Sequence, residues 1–564
     1  MKPTLFSRGG LLVFCHLFCS VSYSQVIPVV NDSNISISQF MEVAPYAVRI
    51  AMCPADDHLY YITFFGDIYR IEEPTGQLPY DSLIATEADH GINFLQGLAF
   101  TDSLMVLSGN YKQSGVAGYG LVSRGQMQSG GNWSWSNLMT TLPYASSATL
   151  YDHAVSAVCI TPGKDSIIVC SGSRTDHGEV QNGNGLFPGY REVPLTTAIF
   201  KLPINGNGIM LENDSAWLDA SGYLFARGVR NSFDVAYDMN GNLFGVENSG
   251  DRDDSDELNW LQEGNHYGFP WVMGGNFTGQ QFPNYDPATD LLINHNSLAW
   301  TNNYFTNDTT YPPMPAGLIV TPGIRNLGPD ADMIRDPDNG TIVNVSDSAG
   351  LEIRTFTSHK STLGLVFDKN ADLDGVYNGS GFVLGYTRGC VDSSGFIPGY
   401  GLGPFLDQGE DLLHLQLAFD TLANNFNANV TRIANGFFDP VDAEMVVNTL
   451  YVMEFGNPGA PHTPVIWKLE FPLNTTNINS TPVTINIRMY PNPSAGELYI
   501  QGCLRNDKII VYDLSGKIVL EKNVNTSQPT VQLFFPALPD GMYVTTIFRN
   551  NLSVFRDKLI ILTN

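Results

Sequence analysis

Residues 226–271 read ARGVRNSFDVAYDMNGNLFGVENSGDRDDSDELNWLQEGNHYGFPW. Arg230 and Asn231 stand before an apolar strand, Asn240-Gly241 supplies the tight turn that reverses it, and Leu243 to Glu247 forms the returning strand. An acidic loop follows, with Asp251, Asp253, Asp254, Asp256 and Glu257 inside seven residues. Carboxylates at that density repel one another, so the loop is expected to be either fully solvated or neutralised by a hard cation such as calcium. Asn248-Ser249-Gly250 lets the backbone turn tightly and expose carbonyls at the strand end. It is not an EF-hand, because Gln262 stands where the bidentate Glu would be.

Outward from this stretch, one phrase recurs: a polar turn, an apolar strand, a loop and a second strand. It appears at 57–71, 102–122, 165–202, 241–246, 381–386 and 448–469. Six copies predict an all-β six-bladed β-propeller, since a four-stranded sheet cannot cover both of its faces alone and stacks against its neighbours in a ring. The copies are widely spaced, so the loops between them are long and are expected to carry function. The largest insertion runs roughly from Trp271 to Thr355 and either caps the central channel or decorates its rim.

The chain has 564 residues, enough for a large domain and an accessory one, and a formal charge of −27 with 29 Lys and Arg. That balance argues against nucleic acid or an anionic membrane surface as partner. Residues 1–24 read as a secretory signal peptide: Lys2 and Arg8, an apolar run from Leu11 to Val21, then Ser22-Tyr23-Ser24. No stretch reaches the ~18 apolar residues of a transmembrane segment. Cys53, Cys159, Cys170, Cys390 and Cys503 follow the signal at scattered spacings, which is not a disulfide framework. Buried free thiols are expected, with Cys159 and Cys170 the one pair that adjacent strands could bring together. The expected division is a propeller over 25–470, a polar linker over 471–485, and a compact β module over 486–564.

Two resemblances rest on these motifs. Gly228-Val229-Arg230-Asn231, Asp256-Glu257-Leu258-Asn259 and His266-Tyr267-Gly268-Phe269-Pro270 together resemble the ordered signature of the glucose/sorbosone dehydrogenases, the soluble pyrroloquinoline-quinone (PQQ) sugar dehydrogenases. Tyr490-Pro491-Asn492-Pro493, then Val511 to Lys517, then Leu538 to Tyr543 resemble the C-terminal sorting domain of type IX secretion, a small β-sandwich whose role is an address. The resemblances imply a protein exported by the type IX machinery to the cell surface or outside, acting on a sugar or polyol.

The first resemblance also implies roles for single residues. His153, with Asp152 beside it, would take the proton of the sugar hydroxyl while hydride passes to the quinone; an imidazole suits this because it accepts a proton near neutrality. Asp152 alternates away from His153 in an extended backbone, so its support need not be direct. Gln96, Arg230, Asn231, Lys360 and Arg388 would contact the cofactor, Arg offering a planar fork to its carboxylates. Ser249 and Gly250, through their carbonyls, and Asp256 and Glu257 are the expected calcium ligands. One departure stands out: Phe438, Asp439 and Glu454 occupy places where the family brings further arginines, and a carboxylate facing a tricarboxylate quinone is repulsive unless calcium or Arg432 compensates.

Two other readings stay open. One is a non-catalytic, calcium-stabilised binding propeller that has lost the quinone contacts. The other is a calcium-dependent, lactonase-like hydrolase, for which His177 with Asp176 and Glu179 would form the metal cluster.

Overall fold

The computed structural model describes residues 27–562 apart from 113–116, 146–150, 183–184, 186, 346–350, 393–394, 397–400, 457–462, 475–486, 504–506, 514–516, 525–529, 536–537 and 550–551. The signal-peptide reading, most of the expected linker and the Leu514-Ser515-Gly516 part of the sorting motif lie outside the described residues. The chain is all-β and forms two compact units, Met1–Thr475 and Thr476–Asn564.

Among the described residues, six larger sheets build the first unit, antiparallel except where Ile209–Leu211 and Arg325–Asn326 add as parallel strands. Their first strands are Ala47–Cys53, Phe94–Thr101, Val155–Ile160, Ser232–Tyr237, Thr362–Phe367 and Pro440–Val446, and these name sheets one to six. Each repeated phrase of the sequence falls in a different sheet. The apolar strands His58–Thr63, Leu104–Tyr111, Ser166–Ser171, Leu243–Glu247, Gly381–Arg388 and Thr449–Glu454 are the second strands. They are buried because sheets pack on both of their faces.

Each first strand packs beside that of the next sheet, and the sixth returns to the first, so the contacts close into a ring. Asp234, third in its strand, accepts from the amide of Leu365, fourth in the next, at 2.8 Å. Asp442, again third, accepts from the amide of Ile50, again fourth, at 2.8 Å. Two residues further along both strands, Glu444 accepts from the Met52 amide at 3.2 Å, so the pairing advances together and these neighbouring strands run in the same direction. Residues that precede the first strands therefore share one end of the ring, its mouth. Sheet six takes its outer strand from the other end of the unit: Ser36–Glu42 pairs antiparallel with Val465–Glu470.

The second unit has a three-stranded sheet of Arg488–Tyr490, Glu497–Gln501 and Thr530–Phe534, and a four-stranded one centred on Lys508–Tyr512 and Gly541–Arg549. Leu498, Ile500, Val511, Leu533 and Ile547 share one apolar core between them. Among the described residues no helix is long and apolar enough to cross a membrane, and the five cysteines are free. Cys159 lies opposite Ile168 and Cys170 opposite Ile199, which separates the two thiols the sequence left as a possible pair.

Candidate functional site at the mouth of the ring

Gln96, His153, Arg230 and Asn231 come together at the mouth. His153 stands just before its strand, and its amide donates to the Ser173 carbonyl at 2.9 Å, while Ser173 donates to the Arg230 carbonyl at 2.7 Å. Gly172 permits this approach, because a Cβ there would lie 2.6 Å from the Cβ of His153 and 3.1 Å from the Arg230 carbonyl. The side-chain amide of Gln96 reaches the His153 carbonyl at 3.5 Å.

The imidazole itself is held on one side only. Nδ1 lies 3.2 Å from Ser173 Oγ and 3.3 Å from the Ser173 carbonyl, which can only accept, so Nδ1 carries the hydrogen and Nε2 the lone pair. No hydrogen bond among the described residues engages Nε2. Burial, and then the positive charge of Arg230, lower the His153 pKa to about 3. The ring is uncharged at neutral pH and can accept a hydroxyl hydrogen. Asp152 turns away from it, as the alternation predicted, and pairs with Lys112 at 3.5 Å.

Arg230 is buried and engaged. Its Nε donates to the Asp176 carbonyl at 2.8 Å, Nη1 to the Asn248 carbonyl at 3.0 Å, and Nη2 meets Asp176 Oδ1 at 3.3 Å. Asn231 donates to the Asn248 side chain at 2.8 Å. Lys360 is corrected as a cofactor contact: its side chain is 0 % exposed and its ammonium donates to Asp407 at 2.8 Å and Asp411 at 2.9 Å. Arg432 binds the same two carboxylates at 2.7 and 2.6 Å, so it does not face the mouth as a free cation either. Arg388 alone of the expected cations is largely outside, 56 % exposed and 3.8 Å from Glu410.

The carboxylates of the acidic loop are not fully solvated, and each has a hydrogen-bond or ion-pair partner within the protein. Asp251 accepts from Tyr151 and from the Ala299 amide at 2.7 and 2.6 Å. Asp253 meets Arg335 at 2.6 Å and His359 at 2.7 Å; Asp254 meets Arg252 at 2.8 Å. Asp256 accepts from Ser249 N and Oγ at 2.9 and 2.8 Å, and Glu257 from the Gly274 amide at 2.9 Å. Burial, and then neighbouring Glu247, raise the Glu257 pKa well above the usual carboxylate range. Asp256 and Glu257, expected as calcium ligands, thus each accept hydrogen bonds from uncharged donors of the chain. Among the described residues no three acidic, His or Cys side chains are placed to hold a metal ion. The carbonyls of Ser249 and Gly250 accept no hydrogen bond among those residues.

His177 is buried beneath the Trp271–Thr355 insertion. It pairs with Asp176 at 2.8 Å, approaches Glu179 at 3.6 Å, and stacks on Phe305 with centroids 4.2 Å apart. Burial opposes its charge, but Glu179 and Asp176 outweigh that and raise its pKa. The cavity beside it, lined by Arg230, Gly250, Phe269 and Met273, measures about 10 Å³, space for no more than one water. The insertion caps this sector.

With this geometry in view, the comparisons carry the two sequence resemblances. Residues 201–311 match the glucose/sorbosone dehydrogenase family. The match begins in the third strand of sheet three, covers sheet four and the acidic loop, and contains the stretch from Arg230 to Pro270. Residues 488–562 match the secretion system C-terminal sorting domain. No curated protein matches the chain. Solved structures similar to it include a putative oxidoreductase (glucose dehydrogenase) from Thermus thermophilus, at 15 % identity and TM-score 0.44 over 77 % of this chain and 99 % of that one. The apo soluble aldose sugar dehydrogenase of Escherichia coli shows 12 % and 0.47 over 77 % and 99 %. The PQQ-bound aldose sugar dehydrogenase of Streptomyces coelicolor shows 13 % and 0.42 over 78 % and 99 %.

The glucose/sorbosone dehydrogenase cofactor, a quinone with three carboxylates, does not fit this donor set. Arg230, Lys360 and Arg432 are each neutralised by carboxylates of the same chain, and a buried cation already paired has little left for another anion. Glu454 turns into sheet six, where it accepts from the Trp467 indole at 2.8 Å and the Phe438 amide at 3.0 Å. It neither repels nor attracts a ligand. Glu410, its pKa raised to about 7 by burial, accepts from the Asp439 amide at 3.3 Å.

Proposed function

We propose that this chain is an exported six-bladed β-propeller of the glucose/sorbosone dehydrogenase type that engages a hydroxyl of a sugar or polyol at the mouth of its ring, followed by a β-sandwich type IX sorting domain. The cyclic order of the six sheets supports the propeller, and the match of residues 488–562 supports export. One observation carries the ligand class: the uncharged imidazole of His153, fixed through Nδ1 by Ser173, with the Gln96 amide and the Asp152–Lys112 pair beside it. An uncharged acceptor among polar groups recognises a neutral hydroxyl without the desolvation cost of a buried charge.

The neutralised cations favour binding without the quinone. A second reading is oxidation of the same hydroxyl with quinone and calcium. It is favoured by the family match, by the lone pair on His153, and by the open carbonyls of Ser249 and Gly250. Adding the quinone and calcium to the purified protein decides between them. No change in the quinone absorption spectrum and no dye reduction, with retained sugar binding by calorimetry, supports the binding propeller. A shifted spectrum with sugar-dependent dye reduction supports the dehydrogenase.

A further inference from the structure

The mouth has two unlike halves. Sheets three and four supply the polar one described above. Sheets one, two and six supply aromatic rings at their strand ends: Tyr46 before the first strand of sheet one, Phe64 and Phe65 in its next turn, Phe94 at the start of sheet two, and Phe455 after Thr449–Glu454. They form one continuous arc. Tyr46 meets Phe65 and Phe455 edge to face at 4.8 and 5.6 Å, and Phe64 meets Phe65 and Phe94 at 5.6 and 5.3 Å.

Backbone bonds fix the arc in place: the amides of Phe64, Tyr46 and Leu95 donate to the carbonyls of Tyr46, Gly456 and Phe64. Its end joins the polar half through Lys112, whose ammonium lies 5.7 Å from the Phe94 ring and 3.5 Å from Asp152, the neighbour of His153. Phe65 is 52 % exposed, and Tyr46, Phe64, Phe94 and Phe455 are half-buried.

Rings held this firmly at partial exposure offer flat apolar faces without an ordering cost. A surface that alternates such faces with an amide, an ammonium and an imidazole suits a ligand that carries C–H faces and hydroxyls together. The chain's net charge of −27 disfavours an anion. We propose that the arc is a subsite for further rings of a neutral oligosaccharide, so that the ligand is a sugar chain whose terminal residue lies at His153. This rests on the reading that a sugar hydroxyl engages His153.

Calorimetry on the full chain, with glucose and with β-1,4-, β-1,3- and α-1,4-linked glucose pentasaccharides, tests both levels. One pentasaccharide binding about tenfold or more tighter than glucose is expected. Phe65→Ser combined with Phe455→Ala should remove that gain and leave glucose binding unchanged; the single Phe65→Ser variant, at an exposed position, guards against a folding defect and should remove part of it. Saturation-transfer NMR should show transfer to ring protons away from the terminal residue. Glucose binding with no gain from chain length overturns the subsite while the His153 reading stands. A dimer in the ultracentrifuge that Phe65→Ser dissolves also overturns it, since the arc then covers a second copy. Binding of neither glucose nor any pentasaccharide sinks the His153 reading itself.

Discussion

The guanidinium of Arg49 lies 4.0 Å over the ring of Phe233 and donates to the Phe233 carbonyl. Arg49 belongs to sheet one and Phe233 to sheet four, three steps around a cycle of six, so one side chain spans the axis of the ring. Below it lies a cavity of about 200 Å³ lined by Asp234, Asp442, Glu444 and Lys369.

Arg49 also pairs with Asp442 at 3.8 Å, both buried. Arg49→Leu leaves that carboxylate without its cation and removes the cross-axis hydrogen bond. A loss of about 3 kcal/mol of unfolding free energy is expected. Denaturant titration checks it, and Asp442→Asn in the same background should restore part of the loss.

Burial raises the pKa of Glu444, which accepts from the Met52 amide at 3.2 Å, to about 7. For an acid raised on folding, the contribution is full below the unfolded value of about 4.5 and is lost as pH climbs through 7. Thermal unfolding scans from pH 5 to 8 should show Tm falling across neutrality. Glu444→Gln should flatten that fall; an equally steep profile in the variant contradicts the assignment.

Lys360→Met leaves Asp407 and Asp411 sharing Arg432 alone. An uncompensated buried carboxylate costs about 3–5 kcal/mol, so the variant should be strongly destabilised. A residue that served only a ligand would give a normally stable protein with weaker binding.

Calcium removal should leave the unfolding temperature nearly unchanged, because every carboxylate from Asp251 to Glu257 already has a partner within the protein. A structural ion at a hundredfold excess over its Kd would add about 2.7 kcal/mol. Calorimetric scans with chelator and with calcium distinguish the two.

The all-β class and the six strand phrases were legible because each phrase is a buried second strand, and burial on both faces leaves a continuous apolar run that the eye can find. His153 and Arg230 stand two residues before the first strands of sheets three and four, and Gln96 is third in that of sheet two, so the structure brings together residues that the resemblance had named from distant parts of the chain. The fate of the charges was not legible. Arg335 and His359 lie 82 and 106 residues from Asp253, and Asp407 lies 47 from Lys360, the partners they neutralise, and local sequence carries no record of such pairing. The acidic loop looked like a cation site because its compensation arrives from elsewhere in the chain. The aromatic arc escaped for the opposite reason: Tyr46, Phe65 and Phe455 each read as an ordinary strand end, and only ring closure brings them together.

That closure is made by Ser36–Glu42 lying against Val465–Glu470. The clasp joins segments from the two termini of the unit, so no partial translation product can be a finished circle. A chain cut before residue 465 would display the bare edge of its last sheet, a template for pairing with other chains. Assembly of the circle is thus a late event, completed after nearly the whole unit has been synthesised.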